Sequence, residues 1–212
     1  PIGSWVIAEA CRQMGAWRDA GLPQVATAIN LAASHLREAS LPSEVEHALA
    51  RHRLPPSMLE IEVTESVMLA DPEDSIRNAL ELHQLGVRLA LDDFGMGYSS
   101  LSYLKRLPVS CLKIDKAFIG EMMNDRGSAG IVTAIIAMAH TLGLNVVAEG
   151  VEHDQQLRTL RMLGCDEFQG FLHSCPVTAA EFAAMLGQHA CKTTGDRPAP
   201  NLHRTLVRAA LP

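Results

Sequence analysis

Apolar and polar positions along this chain follow two alternating periods. Short runs rich in β-branched residues read as strands at VATAINLA (25–32), LEIEVTE (59–65), VRLALDD (87–93), CLKID (111–115), NVVAEG (145–150) and EFQGFL (167–172). Between them, apolar residues recur at helical spacing over 4–20, 43–52 and 178–188, over SIRNALELHQLG after Asp71 and Pro72, and over GSAGIVTAIIAMAHTLG. Asp71 and Pro72 supply a cap and a first-turn proline, while Gly86 and Gly143 act as stops. Successive strands start roughly 22 to 35 residues apart, room for one helix and two short loops. The prediction is an α/β fold of repeated βαβ units over residues 1–189. A C-terminal tail without a core pattern follows at 190–212, expected to be flexible.

Parity within the strands sorts side chains onto two faces. One class is apolar: Ile29 and Leu31, Ile61 and Val63, Leu89 and Leu91, Leu112 and Ile114, Val146 and Ala148, and Phe168. The other holds Asn30, Glu62, Asp92, Lys113, Glu149 and Gln169, each toward the carboxyl end of its strand. Taken singly, Asn30 or Gln169 reads first as a buried polar residue satisfied by its neighbours. One such residue on each of six strands points to a shared site at the face where α/β barrels gather their active groups.

Composition narrows the class. The chain has 212 residues, 48% hydrophobic and 20% charged, with apolar material for a sizeable core. No run approaches the ~20 apolar residues that cross a membrane, and no signal peptide is visible, so Pro1 reads as an internal start of a longer chain. Five cysteines without close pairs suit a reducing cytoplasm better than a disulfide framework or a zinc site. A formal net charge of −6 argues against broad DNA or RNA binding, but not against a phosphate ligand held through cations.

Once the second parity class is gathered together with Asp93, the chain neighbour of Asp92, the charge does not balance. Glu62, Asp92, Asp93 and Glu149 bring four negative charges against one positive from Lys113. Carboxylates so placed take up protons or bind cations, and oxygen donors without a thiolate suit Mg²⁺ or Mn²⁺. Such ions polarise phosphoryl oxygens and activate water, so phosphodiester hydrolysis is the natural reaction class. Lys113 could offset phosphate charge or orient the water, and Glu149 could take its proton. In LALDDFGMGYSSL the pair Gly95 and Gly97 follows the aspartates at once, with Ser99 or Ser100 as a helix cap. Alone, two such glycines look like any tight turn; after paired aspartates they suggest a loop that positions the site.

In order along the chain, EVTES, LALDDFGMGYSSL, LKIDKAFI, VVAEGVE and QGFLHSCP closely resemble the motifs of the EAL-domain phosphodiesterases, which hydrolyse cyclic di-GMP to linear pGpG. WVIAEACRQMGAW and the strand ending at Asn30 also look like that family, so the resemblance runs from Ile2 to about Leu186. It implies a modified TIM-type (β/α) barrel with two Mg²⁺ or Mn²⁺ ions and a tendency to form homodimers. By resemblance Asn30, Glu62 and Asp92 match metal ligands, and Asp93 the ligand of the second ion. Lys113 matches the lysine near the catalytic water, Glu149 the general base and Gln169 the site rim. Glu65 matches a residue that steadies the Gly95–Gly97 loop, and Glu152 a supporting acid. A solvated surface charge is the plainer account of Glu65 and Glu152.

The sequence also departs from the pattern. The Glu-Ala-Leu motif and the Arg that follows it are absent, and AEA at 8–10 lies in a helical run. A complete barrel has about 250 residues, so about 60, or about two strands, are expected to precede this N-terminally truncated barrel, along with any fused sensory or regulatory domain. Met96, Ala32 and Cys175 stand where the family commonly has other residues. Two functions follow from the resemblance: a metal-dependent cyclic di-GMP phosphodiesterase, or a degenerate module that binds the dinucleotide or a protein without turnover.

Overall fold

The computed structural model describes residues 2–65, 72–95, 104 and 106–192, with side chains given for all of these except 72 and 189–192. Asp71, Met96, Gly97, Ser99, Ser100 and residues 193–212 of the expected tail lie outside that set. Helix α1 (Ile2–Asp19) precedes β1 (Thr27–Asn30), and α2 (Ala33–Leu36) and α3 (Leu41–Arg51) lead to β2 (Leu59–Thr64). Next come α4 (Pro72–Leu85), β3 (Arg88–Phe94), β4 (Cys111–Ile114), α5 (Lys116–Glu121) and α6 (Arg126–Thr141). The described chain ends with β5 (Asn145–Ala148), α7 (Asp154–Met162), β6 (Glu167–Phe168) and α8 (Ala179–Lys192).

All six strands pair parallel, in the spatial order β1-β2-β3-β4-β5-β6. Consecutive strands that pair parallel, four of their five connections carrying described helices, produce a sheet that curls one way, a six-stranded part of a barrel. The apolar parity class is buried as expected: Ile29, Leu31, Ile61, Val63, Leu89, Leu91, Leu112, Ile114, Val146 and Ala148 form one core with α1, α3, α4 and α6. The concave face carries a smaller apolar layer of Ala90, Cys111 and Val147, and Glu60, paired with Arg88 at 3.7 Å, is buried too. Both faces of β2 are therefore covered, as a parallel strand requires.

Three expectations need correction. The sixth strand stops at Phe168 rather than residue 172, because Gln169 to Leu172 fold back on Val151: the Val151 amide donates to Gln169 O and the Leu172 amide to Val151 O, both at 3.0 Å. Helices α5 and α7 form in stretches for which no helix is expected from the sequence. The helix expected over 178–188 runs instead from Ala179 to Lys192. Among the described residues no helix is long and apolar enough to cross a membrane.

Candidate active site

Lys113 is the centre of the polar cluster. It lies in β4 with no solvent exposure, and its Nζ sits 2.6 Å from Glu149 Oε1, 2.9 Å from Glu62 Oε1 and 3.2 Å from Asp92 Oδ1. A buried ammonium is tolerable only when its lost hydration is replaced, and three carboxylates from three other strand ends replace it. Glu62 and Asp92 are buried as well, and so is Glu149, just beyond β5, the least covered of the three at 9% exposure. Sequence parity thus brought Glu62, Asp92, Lys113 and Glu149 into one contact set.

Asp93 joins that set by a different route. In a regular strand it would point away from Asp92. The pairing of β3 with β4 runs Leu91 to Leu112 and then Phe94 to Ile114, leaving Asp92 and Asp93 together opposite the single residue Lys113. That is a β-bulge, and Asp93 takes the left-handed conformation (φ 54°) that such a bulge uses. The Asp93 amide donates to Asp92 Oδ1 at 3.1 Å, and the two carboxylates and that of Glu149 bring ligand oxygens within 4.8 Å of one another. Phe94 then returns to the core, so one extra residue supplies a second acid without disturbing the outer face.

Burial pushes the Asp93 carboxyl above its ordinary range, and the nearby charges of Asp92 and Asp115 push it further, with only Lys113 opposing. Asp115 is the residue that sequence reasoning left without a role. It shares the parity of Lys113, two positions on, so the signal was present. It caps α5 by accepting from the Ala117 amide at 2.8 Å and lies beside Asp93. Five carboxylates therefore face one ammonium.

The other expected residues sit around this centre. Asn30 ends β1 opposite Glu62 in register, with its side chain exposed. Glu65, just past β2, is buried, and neither of its carboxylate oxygens bonds a described residue. Gln169 follows β6, its amide donating to Ala148 O at 2.8 Å. Gly95 follows the bulge with φ 98°, and an added Cβ there would come within 2.9 Å of Phe118, so a larger residue would be strained twice. Glu152 is exposed and lines an open cavity of about 400 Å³ with Lys116 and His153.

An oxygen-only donor set with surplus negative charge, at the carboxyl ends of parallel strands, fits a hard divalent cation. Asp92, Asp93 and Glu149 are the residues whose spacing suits one.

Residues 1–176 match the family model described as the EAL domain. The bifunctional diguanylate cyclase/cyclic di-GMP phosphodiesterase MucR of Pseudomonas aeruginosa is 49% identical over 183 residues, 86% of this chain. This chain spans only 27% of the length of that relative. The structure of the MucR phosphodiesterase in complex with cyclic di-GMP superposes with a TM-score of 0.81, covering 85% of this chain and 73% of that one. The EAL domain of Mycobacterium smegmatis DcpA is 39% identical with a TM-score of 0.85, covering 88% of this chain and 84% of that one. Family model, sequence relatives and fold all agree, and the chain belongs to the EAL domain family.

Proposed function

We propose that this chain forms the larger part of a metal-dependent phosphodiesterase that hydrolyses cyclic di-GMP to linear pGpG in the cytoplasm, within a longer protein. The observation that carries the reading is the convergence of Glu62, Asp92 and Glu149 on Lys113 at three contacts of 2.6 to 3.2 Å, with Asp93 added by the bulge. Likeness to proteins named as cyclic di-GMP phosphodiesterases supplies the substrate.

Asp92, Asp93 and Glu149, with Glu62 and Asn30 on the neighbouring strands, would hold Mg²⁺ or Mn²⁺, two ions in the complete site. When bound, such ions polarise the phosphoryl oxygens and lower the pKa of coordinated water. Glu149, the least covered of the three carboxylates around Lys113, is the general base. It takes the proton of the attacking water as the water oxygen bonds to phosphorus and the bond to the leaving ribose oxygen breaks, that oxygen taking up a proton from solvent. Lys113 fixes the orientation of Glu149 through the shortest of its three contacts and offsets part of the surplus negative charge that would repel a phosphate. Gly95 begins the loop after β3, Glu65 supports it, and Gln169 and Glu152 border the substrate.

The test is incubation with cyclic di-GMP and Mn²⁺, products separated by chromatography, for this chain, a longer chain containing it and Glu62→Ala of each. Formation of pGpG that the substitution abolishes is the expected result. Binding of the dinucleotide without product from either length would replace the enzyme by a binding module. A faster turnover of a different phosphodiester would overturn the substrate.

A further inference from the structure

We infer that Gln156 is a positioning residue for the metal-facing carboxylate of Glu149, an inference that rests on the reading of Glu149 as part of the site. Gln156 lies in the first turn of α7 and is buried. Its Oε1 accepts from the amides of Glu152 and His153, both at 2.9 Å, and its Nε2 donates to the carbonyl of Ile119 at 3.0 Å. One side-chain amide therefore joins two segments. The first is the loop that leaves β5 through Glu149. The second is α5, which starts two residues after Ile114, the last residue of β4.

The same loop is bridged to β4, the strand that runs directly into α5, by the 2.6 Å contact between Lys113 and Glu149. Motion of the β5 loop relative to β4 and the helix that continues it would change that contact and the spacing of Glu149 from Asp92 and Asp93. Backbone bonds also hold the loop: the Glu149 amide donates to Ile114 O of β4 at 3.1 Å, and toward the β6 exit the Val151 amide donates to Gln169 O and the Leu172 amide to Val151 O, both at 3.0 Å. Backbone bonds fix the level of the loop along the sheet; the Gln156 amide fixes its distance from α5. Loss of the amide frees Glu149 to shift by a fraction of an ångström, enough to spoil a ligand set.

Two variants separate this role from packing. Gln156→Met keeps the volume and removes all three hydrogen bonds. Gln156→Glu keeps the acceptor for both loop amides but sets a carboxylate oxygen against the Ile119 carbonyl. Mn²⁺ affinity, read from the electron paramagnetic resonance signal of the free ion, is measured for both alongside thermal melting. The expected order of affinity is wild type, then Gln156→Glu, then Gln156→Met, with the last weaker by about tenfold, the lower end for residues that orient a ligand. Variants that melt lower yet bind Mn²⁺ as tightly as wild type would overturn the inference and leave Gln156 a structural residue. If Gln156→Met does not fold, equal affinity in Gln156→Glu and wild type overturns it equally. A wild-type chain that binds no Mn²⁺ would overturn the metal site itself, and this inference with it, which keeps the two failures apart.

Discussion

Lys113 contributes to stability only while its partners are ionised around it, and they tolerate burial only while it is there. Removing one member of a buried charge set costs about 3–5 kcal/mol because the others are left uncompensated. Lys113→Met should therefore lower the melting temperature sharply, and Mn²⁺ should raise the melting temperature of the variant by more than that of wild type, since the ion replaces the missing positive charge. Equal shifts in both proteins would show that the carboxylates do not share a cation. The thiols offer a separate check of the packing. Burial pushes Cys11 up to about 11 and Cys165 up to about 12, and Cys111 higher still, with Glu60 and Glu167 adding to the rise, whereas Cys175 is exposed. A raised pKa means less thiolate at a given pH, and the thiolate is the nucleophile. At pH 8 iodoacetamide should modify Cys175 first among these four, by peptide mass spectrometry, with half-buried Cys165 slower and the buried Cys11 and Cys111 reacting only after denaturation. Of the site, Glu62, Asp92, Lys113 and Glu149 were legible from parity alone, because a period of two leaves few alternatives. Asp93 was not, because parity assigns it to the opposite face and only a shift in register brings it round.

Element by element, the long strands and helices were readable and the short connections were not. Helix α7 carries a narrow apolar stripe, Leu157 and Leu160 continued by Leu163 just past its end, but it is only nine residues long, and α5 is six, so each is too short for its period to stand out in the sequence. The Asp115 cap of α5 and the Gln156 side chain of α7 are the local signals, and each makes sense only once the strand ends are adjacent. The end of β6 depends on a similar close approach. A Cβ on Gly170 would overlap the carbonyl oxygen and the amide nitrogen of Val151, which are backbone atoms that no rotamer change can move. Gly170→Ala must push the β5 loop from the β6 exit and should cost about 1–3 kcal/mol, the range of overpacked cores. Gly120, in α5, meets nothing within 4 Å at the same virtual atom. Gly120→Ala should instead be neutral or gain up to about 1 kcal/mol from helix propensity. Urea midpoints for the two alanine variants would decide, and equal effects would refute the contact at Gly170.

At the scale of the molecule, the sheet has two lateral edges among the described residues, β1 and β6, where a closed barrel would have none. Helix α8 links these distant parts of the chain. It follows β6, yet its Phe182 and Leu186 pack with Trp17 of α1 and with Leu22 and Val25, which lead into β1. The rings of Trp17 and Phe182 are 5.1 Å apart at a 57° tilt. The last helix thus ties the end of the sheet's strand order to its beginning through a small apolar cluster separate from the main core. Truncating a buried aromatic costs about 3–5 kcal/mol in a well-packed core, and a small satellite cluster belongs at the lower end of that range. The distribution of the loss is more informative than its size. In Phe182→Ala, β2 to β5 keep strand partners on both sides, while β1 and β6 lose the strap that holds their ends. Hydrogen exchange should therefore accelerate in the amides of β1 and β6 and remain near wild type in β2 to β5, because regions open in units set by their own packing. Uniform acceleration across all six strands would mean that the fold opens as one unit and that α8 contributes only global stability.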